Sequence, residues 1–104
     1  MFACQWHFDV PFGKQKEVVD IIESWSKALR KSKKLPKEYS ERITVGHIGP
    51  SPSHFCVEHT VKSLADWEAM MHDVATGKYK KQSQAIAKYI VPGTQHWEIL
   101  RIIK

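Results

Sequence analysis

Apolar and polar residues alternate along four segments of the chain: Phe2 to Val10, Arg42 to Ile48, His54 to Val61 and Thr94 to Ile103. A period of two predicts strands, because successive side chains leave a strand on opposite faces. In the first segment Phe2, Cys4, Trp6 and Phe8 share one face, and Gln5, His7 and Asp9 share the other. In the third, Phe55, Val57 and Val61 oppose His54, Cys56 and Glu58; in the fourth, Trp97, Ile99 and Ile103 oppose His96 and Glu98. Elsewhere the period becomes helical. Val18, Ile21, Ile22, Trp25 and Leu29 form an apolar stripe on a helix from Lys14 to about Lys31. Leu64, Trp67, Met71 and Val74 form another, opened by Ser63 as a cap with Asp66 placed to reach back. Gly77 interrupts that pattern, and a further helical piece, about Tyr79 to Ile90, stops at Val91-Pro92-Gly93. Lys33 to Ser40, with its Leu35-Pro36, reads as a loop, and Gly49-Pro50-Ser51-Pro52-Ser53 as a hairpin connection.

The order β-α-β-β-α-β predicts one α+β domain of the ferredoxin-like type over residues 1–104, a four-stranded antiparallel sheet with both helices on one face. Trp6, Trp25, Trp67, Trp97, Met70 and Met71 read as packing on the helix side. His59 shares the phase of Phe55 and Val57 and reads as core or edge. His47 shares the phase of Ile43 and Val45 unless a bulge at Gly46 turns it. The other face carries Gln5, His7, Asp9, His54, Cys56, Glu58, His96, Glu98, Leu100 and Ile102. A half-polar face on so small a domain gains from being covered, and two-fold association is the commonest solution, so a homodimer is expected.

In the usual order of this fold the first strand lies between the third and the fourth. His7 and Asp9 then sit beside His54 and His96. Three histidines with an open position suit a zinc, iron or copper ion, which makes His7, His54 and His96 candidate metal ligands. Glu58 and Glu98 flank Gln5, and two carboxylates in a partly buried pocket shift apart in pKa, supplying an acid and a base. The candidate catalytic set is therefore His7, Asp9, Glu58, His96 and Glu98, with His7 or His96 as general base oriented by Asp9 or Glu98. The structural alternative is that His7 and Asp9 satisfy each other without a metal. An enzyme acting on a small molecule and a non-catalytic barrel binding a ligand, metal or protein both remain open.

The net charge is +5, concentrated between Lys27 and Lys37 and at Lys78, Lys80 and Lys81. No aromatic interleaving or RNA-binding motif accompanies it, so it reads as solvated helix ends and loops, and nucleic acid is not an expected partner. Cys4 and Cys56 fall on opposite faces and belong to no C-x-x-C pair, which points to a reducing cytoplasm. The N-terminus reads as the first strand rather than a signal peptide, and no run of ~18 apolar residues predicts a membrane span.

The stretch Val61-Lys62-Ser63-Leu64-Ala65-Asp66-Trp67-Glu68, the later Tyr79-Lys80-Lys81 piece and the alternating last strand resemble the dimeric α+β barrel superfamily. That group includes NIPSNAP-like, antibiotic-monooxygenase-like and stress-responsive barrel proteins. The resemblance implies a homodimer whose two sheets form a barrel with a pocket in each half. Cofactor-free oxygenases of that group lack a fixed motif, so their activity does not carry over; a small barrel oxygenase, isomerase or cyclase and a non-catalytic ligand-, metal- or protein-binding barrel stand as the two readings of the chain. Haem-degrading members use an asparagine, a tryptophan and a helix-borne histidine. This chain has no asparagine, and His72 departs from the phase of the Leu64, Trp67, Met71 stripe, so haem is not expected.

Overall fold

The computed structural model describes residues 1–32 and 39–104. Most of the expected loop from Lys33 to Ser40, with Lys33, Lys34, Leu35, Pro36 and Lys37, lies outside the described residues. The elements are β1 (Phe2–Asp9), α1 (Gln15–Ser32), β2 (Ser40–Val45), β3 (His54–Val61), α2 (Leu64–Ala75), α3 (Lys80–Ala87) and β4 (His96–Arg101). The strands form one antiparallel sheet in the order β2-β3-β1-β4. This is the expected ferredoxin-like α+β arrangement, with the second helix in two pieces.

Registers between strands decide which side chains meet. β1 pairs with β3 from Phe2↔Val61 to Asp9↔His54, and with β4 through Trp6↔Trp97 and His7↔His96. Phe8, Phe55 and Val57 of the sheet pack on Val18 and Ile22 of α1 and on Ile86 of α3. Phe8 and Phe55 are fully buried and stack with ring centroids 5.7 Å apart. α1 keeps its acid at the start, Glu17, and its bases at the end, Arg30 and Lys31, as the helix dipole favours. Ser63 caps α2 as its position predicts, its hydroxyl accepting from the Asp66 backbone N–H at 3.3 Å. Gly77, at φ +85°, turns the chain between α2 and α3 in a conformation that favours glycine.

Three expectations need correction. β4 runs from His96 to Arg101 rather than from Thr94 to Ile103. β2 begins at Ser40 and ends at Val45, short of the expected Ile48. A Cβ at Gly46 would collide with the carbonyl oxygens of Pro50 and Ser51, so the hairpin folds tightly over that residue. His47 and Ile48 leave the sheet and are exposed. The stripe of α2 also fails to make a core. None of its residues is buried; Leu64 is exposed, and Trp67, Met71 and Val74 are half-buried. Trp67, Met71 and Val74 roof a cavity instead. No described helix is long and apolar enough to cross a membrane.

Candidate functional site

The sheet has chemistry on both sides. On the helix side, a cavity of about 410 Å³ lies between the sheet and the three helices. All four tryptophans of the chain line it. Trp6 and Trp97, cross-strand partners, stack 5.7 Å apart at 10°. Trp25 stands edge-on to Trp6 at 6.2 Å, and Trp67 edge-on to Trp97 at 5.7 Å. Both arrangements are favoured by the ring quadrupoles, and together they hold the apolar walls in place. Met70 and Met71 of α2 complete the roof.

One corner of this cavity is polar. Glu41 and His59 face each other across β2 and β3 on the helix-facing side, and both line the cavity with Ser26 of α1. His59 Nε2 lies 3.6 Å from Glu41 Oε2, with the two side chains 18% and 12% exposed. The Tyr39 hydroxyl lies 2.8 Å from His59 Nδ1, and the Ser26 hydroxyl bonds the other oxygen of Glu41. Burial pushes the Tyr39 phenol far above its usual range, so it keeps its proton and donates to Nδ1. The imidazole hydrogen is thereby placed on Nε2, toward Glu41. Burial holds the His59 pKa below the ordinary value against the pull of the Glu41 charge, so the ring rests neutral. A carboxylate backed by a neutral imidazole is left at the edge of an otherwise greasy cavity.

The open face gathers a second group. His7 Nδ1 is 2.9 Å from His54 Nε2, and His54 Nδ1 is 2.7 Å from Asp9 Oδ1. On the other edge of the His7 ring, Nε2 lies 3.0 Å from Glu98 Oε2 and 3.0 Å from Gln5 Oε1. His96 Nε2 lies 3.4 Å from the same Glu98 oxygen, and its ring stacks on His7 at 4.6 Å and 4°. Burial lowers the His7 pKa; Glu98 opposes this, while His96 and His54 add to it. Glu58 turns elsewhere. It accepts from Arg42 Nε at 2.6 Å and from Gln5 Nε2 at 2.9 Å, and the Arg42 hydrogen bond pulls its pKa below the ordinary carboxylate value.

Of the residues singled out in the sequence, His7, His54, His96, Asp9 and Glu98 thus converge on one side of the sheet. His54 spends both ring nitrogens on its neighbours, and the third donor atom beside His7 and His96 belongs to Glu98. Glu58 and Glu98 flank Gln5 across β3 and β4, with Glu58 held by Arg42 and Glu98 beside His7 and His96. His72 is exposed, as its phase predicts, and Cys4 and Cys56 are buried free thiols. The sequence reading missed Glu41, Tyr39 and the role of His59. A signal existed: His59 is the polar break in the stripe Phe55, Val57, Val61, and Glu41 has the phase of Ile43.

Comparison with family models and with curated proteins returns no match. Solved structures do match. A structural-genomics protein from Agrobacterium tumefaciens superposes with a TM-score of 0.73 at 17% identity, covering 100% of this chain and 95% of its own. An antibiotic biosynthesis monooxygenase-like protein from Nitrosomonas europaea gives 0.68 at 14%, covering 100% of both chains. A NIPSNAP domain protein from Burkholderia xenovorans gives 0.72 at 11%, covering 98% of this chain and 94% of its own. The chain therefore has the ferredoxin-like α+β fold of the antibiotic-monooxygenase-like and NIPSNAP proteins. At these identities the likeness establishes the fold.

Proposed function

We propose that the protein binds a planar, mainly hydrophobic small molecule in the helix-side cavity and moves a proton on it through the Glu41–His59 pair. The observation that carries this reading is the cavity itself, tryptophan-walled with one buried carboxylate–imidazole corner. Its volume falls in the range of small-molecule sites, and apolar walls with a few convergent polar groups are the usual build of such sites. A substrate with an ionisable hydroxyl or an activated C–H gives its proton to Glu41, and His59 steadies the pair. Returning that proton to another atom is isomerisation or cyclisation and needs no co-reactant. With dioxygen as co-reactant, the same carbanion gives a hydroperoxide, and loss of water from it leaves a carbonyl. The monooxygenase-like neighbours favour the second course. His7 and His96 lie across the sheet from this cavity, so the general base in this reading is not the one the sequence singled out.

In the same reading two copies close their open sheet faces on each other, covering Leu100 and Ile102, which are 47% and 40% exposed. Light scattering at micromolar concentration should then give about twice the 12.0 kDa chain mass. The cavity is tested with a panel of two- and three-ring phenols and hydroquinones. Since every tryptophan lines the cavity, binding should quench intrinsic fluorescence, and turnover should appear as oxygen uptake or a shifted ligand absorbance. Quenching without turnover favours a binding protein. No quenching by any member of the panel overturns the reading.

A further inference from the structure

On the opposite face, His7, His96 and Glu98 gather three donor atoms, and we infer that they hold a divalent first-row transition metal through His7 Nε2, His96 Nε2 and a Glu98 oxygen, the half-exposed His96 ring turning out of its parallel stack on His7 to aim its lone pair at the same ion. The site is independent of the helix-side cavity. It follows from strand register. His7 and His96 are direct partners across β1 and β4, and Glu98 is two residues further along β4 on the same face. The donor atoms of the three residues all lie within 4.8 Å of one another.

Following the hydrogens around the cluster shows why a cation belongs there. The Asp9 carboxylate only accepts, so the hydrogen in its 2.7 Å contact with His54 sits on His54 Nδ1. With a single hydrogen on the His54 ring, Nε2 is left with a lone pair, and His7 donates to it from Nδ1 across 2.9 Å. That leaves His7 Nε2 bare. It faces Glu98 Oε2 at 3.0 Å and Gln5 Oε1 at 3.0 Å, which are also acceptors. Gln5 cannot flip to help, because its amide nitrogen is donating to Glu58 at 2.9 Å. The hydrogen nearest to this point, among the contacts described, is the weak S–H of Cys56, with Sγ 3.8 Å away. His96 Nε2 lies 3.4 Å from the same Glu98 oxygen. The lone pair of His7 Nε2 therefore meets those of Glu98 and Gln5; a hydrogen on His96 Nε2 can serve Glu98 but leaves His7 Nε2 facing acceptors.

A proton or a metal ion would resolve this. The spacing fits a metal: ligand atoms bound at about 2.0–2.1 Å around a tetrahedral zinc are about 3.4 Å apart. The contacts to Glu98 are 3.0 and 3.4 Å. Two imidazoles and one carboxylate are also the donor set of catalytic zinc and of open non-haem iron sites, in which one or more positions remain for water or an exogenous ligand. Asp9 and His54 then do what outer residues of metal sites do, fixing the tautomer of a ligating ring from behind.

The test uses full-length protein purified without a histidine tag. Titration with Zn²⁺, followed by calorimetry, and with Co²⁺, followed by visible absorption, should show one ion per chain. His96→Ala and Glu98→Gln should each abolish stoichiometric binding. Both side chains are half exposed, so the variants should keep the wild-type circular dichroism. His54→Ala should weaken binding about 10- to 100-fold through loss of orientation. His72→Ala, at an exposed histidine on α2, should bind as wild type. Absence of stoichiometric binding overturns the inference in favour of a protonated His7, and so does binding that survives in His96→Ala and Glu98→Gln.

Discussion

Both faces of the sheet set histidine against carboxylate, and the two settings differ in burial. His59 and Glu41 on the helix side are 18% and 12% exposed, while His96 and Glu98 on the open side are 52% and 50% exposed. The enclosed pair sits among tryptophans with Tyr39 and Ser26 fixing its geometry. The open pair belongs to a cluster with His7, His54 and Asp9 in which His7 Nε2 is left facing acceptors. Similar side chains thus make a desolvated acid/base corner in one place and a cation-seeking cluster in the other. Residue type alone does not set the chemistry; the company of each pair does.

The contrast can be broken by substitution. The largest effect is expected from Glu41→Gln, which should reduce turnover of a cavity ligand by about 10²- to 10⁴-fold, the usual contribution of a positioned base. Fluorescence quenching by that ligand should persist, and equal losses of binding and turnover would make Glu41 a binding group only. Next comes stability. Phe8→Ala, at a fully buried position of β1, should cost about 3–5 kcal/mol in urea unfolding. His7→Ala, the adjacent residue on the open face, loses hydrogen bonds and should cost about 1–2 kcal/mol. Similar costs for both would mean that the open face is covered as tightly as the helix side.

Acid sensitivity separates the faces further, with a smaller effect. Burial holds the folded pKa of His59 below the ordinary histidine value of about 6.5, so the unfolded chain takes up the proton first. Its contribution to stability is full above about pH 6.5 and is lost as pH falls toward the folded value. His59→Gln should flatten unfolding midpoints across that window. Glu58 acts lower. Its folded pKa lies below 4.5, so the stability from its Arg42 contact is present above that value and is lost as pH falls through the folded one. Arg42→Ala should remove that part of the acid transition, and an unchanged profile below pH 4.5 would show that the contact adds nothing in solution.

The open face was legible in the sequence because alternation is a strict rule. β3 runs from His54 to Val61 as its pattern predicts, and a correct parity in β1, β3 and β4 suffices to bring His7, His54 and His96 together. Ser63 was legible for a similar reason, since a cap is a local signal. The helix-side cavity was not. A stripe such as Leu64, Trp67, Met71 and Val74 has the same spacing whether it packs on a neighbour or roofs a void. Only the distance between α2 and the sheet distinguishes the two, and no local pattern encodes it. Arg42 was missed because its partner, Glu58, lies on another strand and depends on the register of β2. The end of β2 was misplaced because Gly46 looks like a tolerated residue until the return path of the hairpin is known.

Trp6 and His7 are consecutive residues of β1, one walling the cavity and the other centring the open-face cluster. For a protein engineer this makes β1 a two-sided template. Even-numbered positions can be redrawn to reshape the cavity, and odd-numbered ones to retune the cluster, with each library largely blind to the other. What the two share is the backbone of a single strand. An insertion or deletion there would invert both at once, whereas point changes can reshape one side and leave the other as it stands.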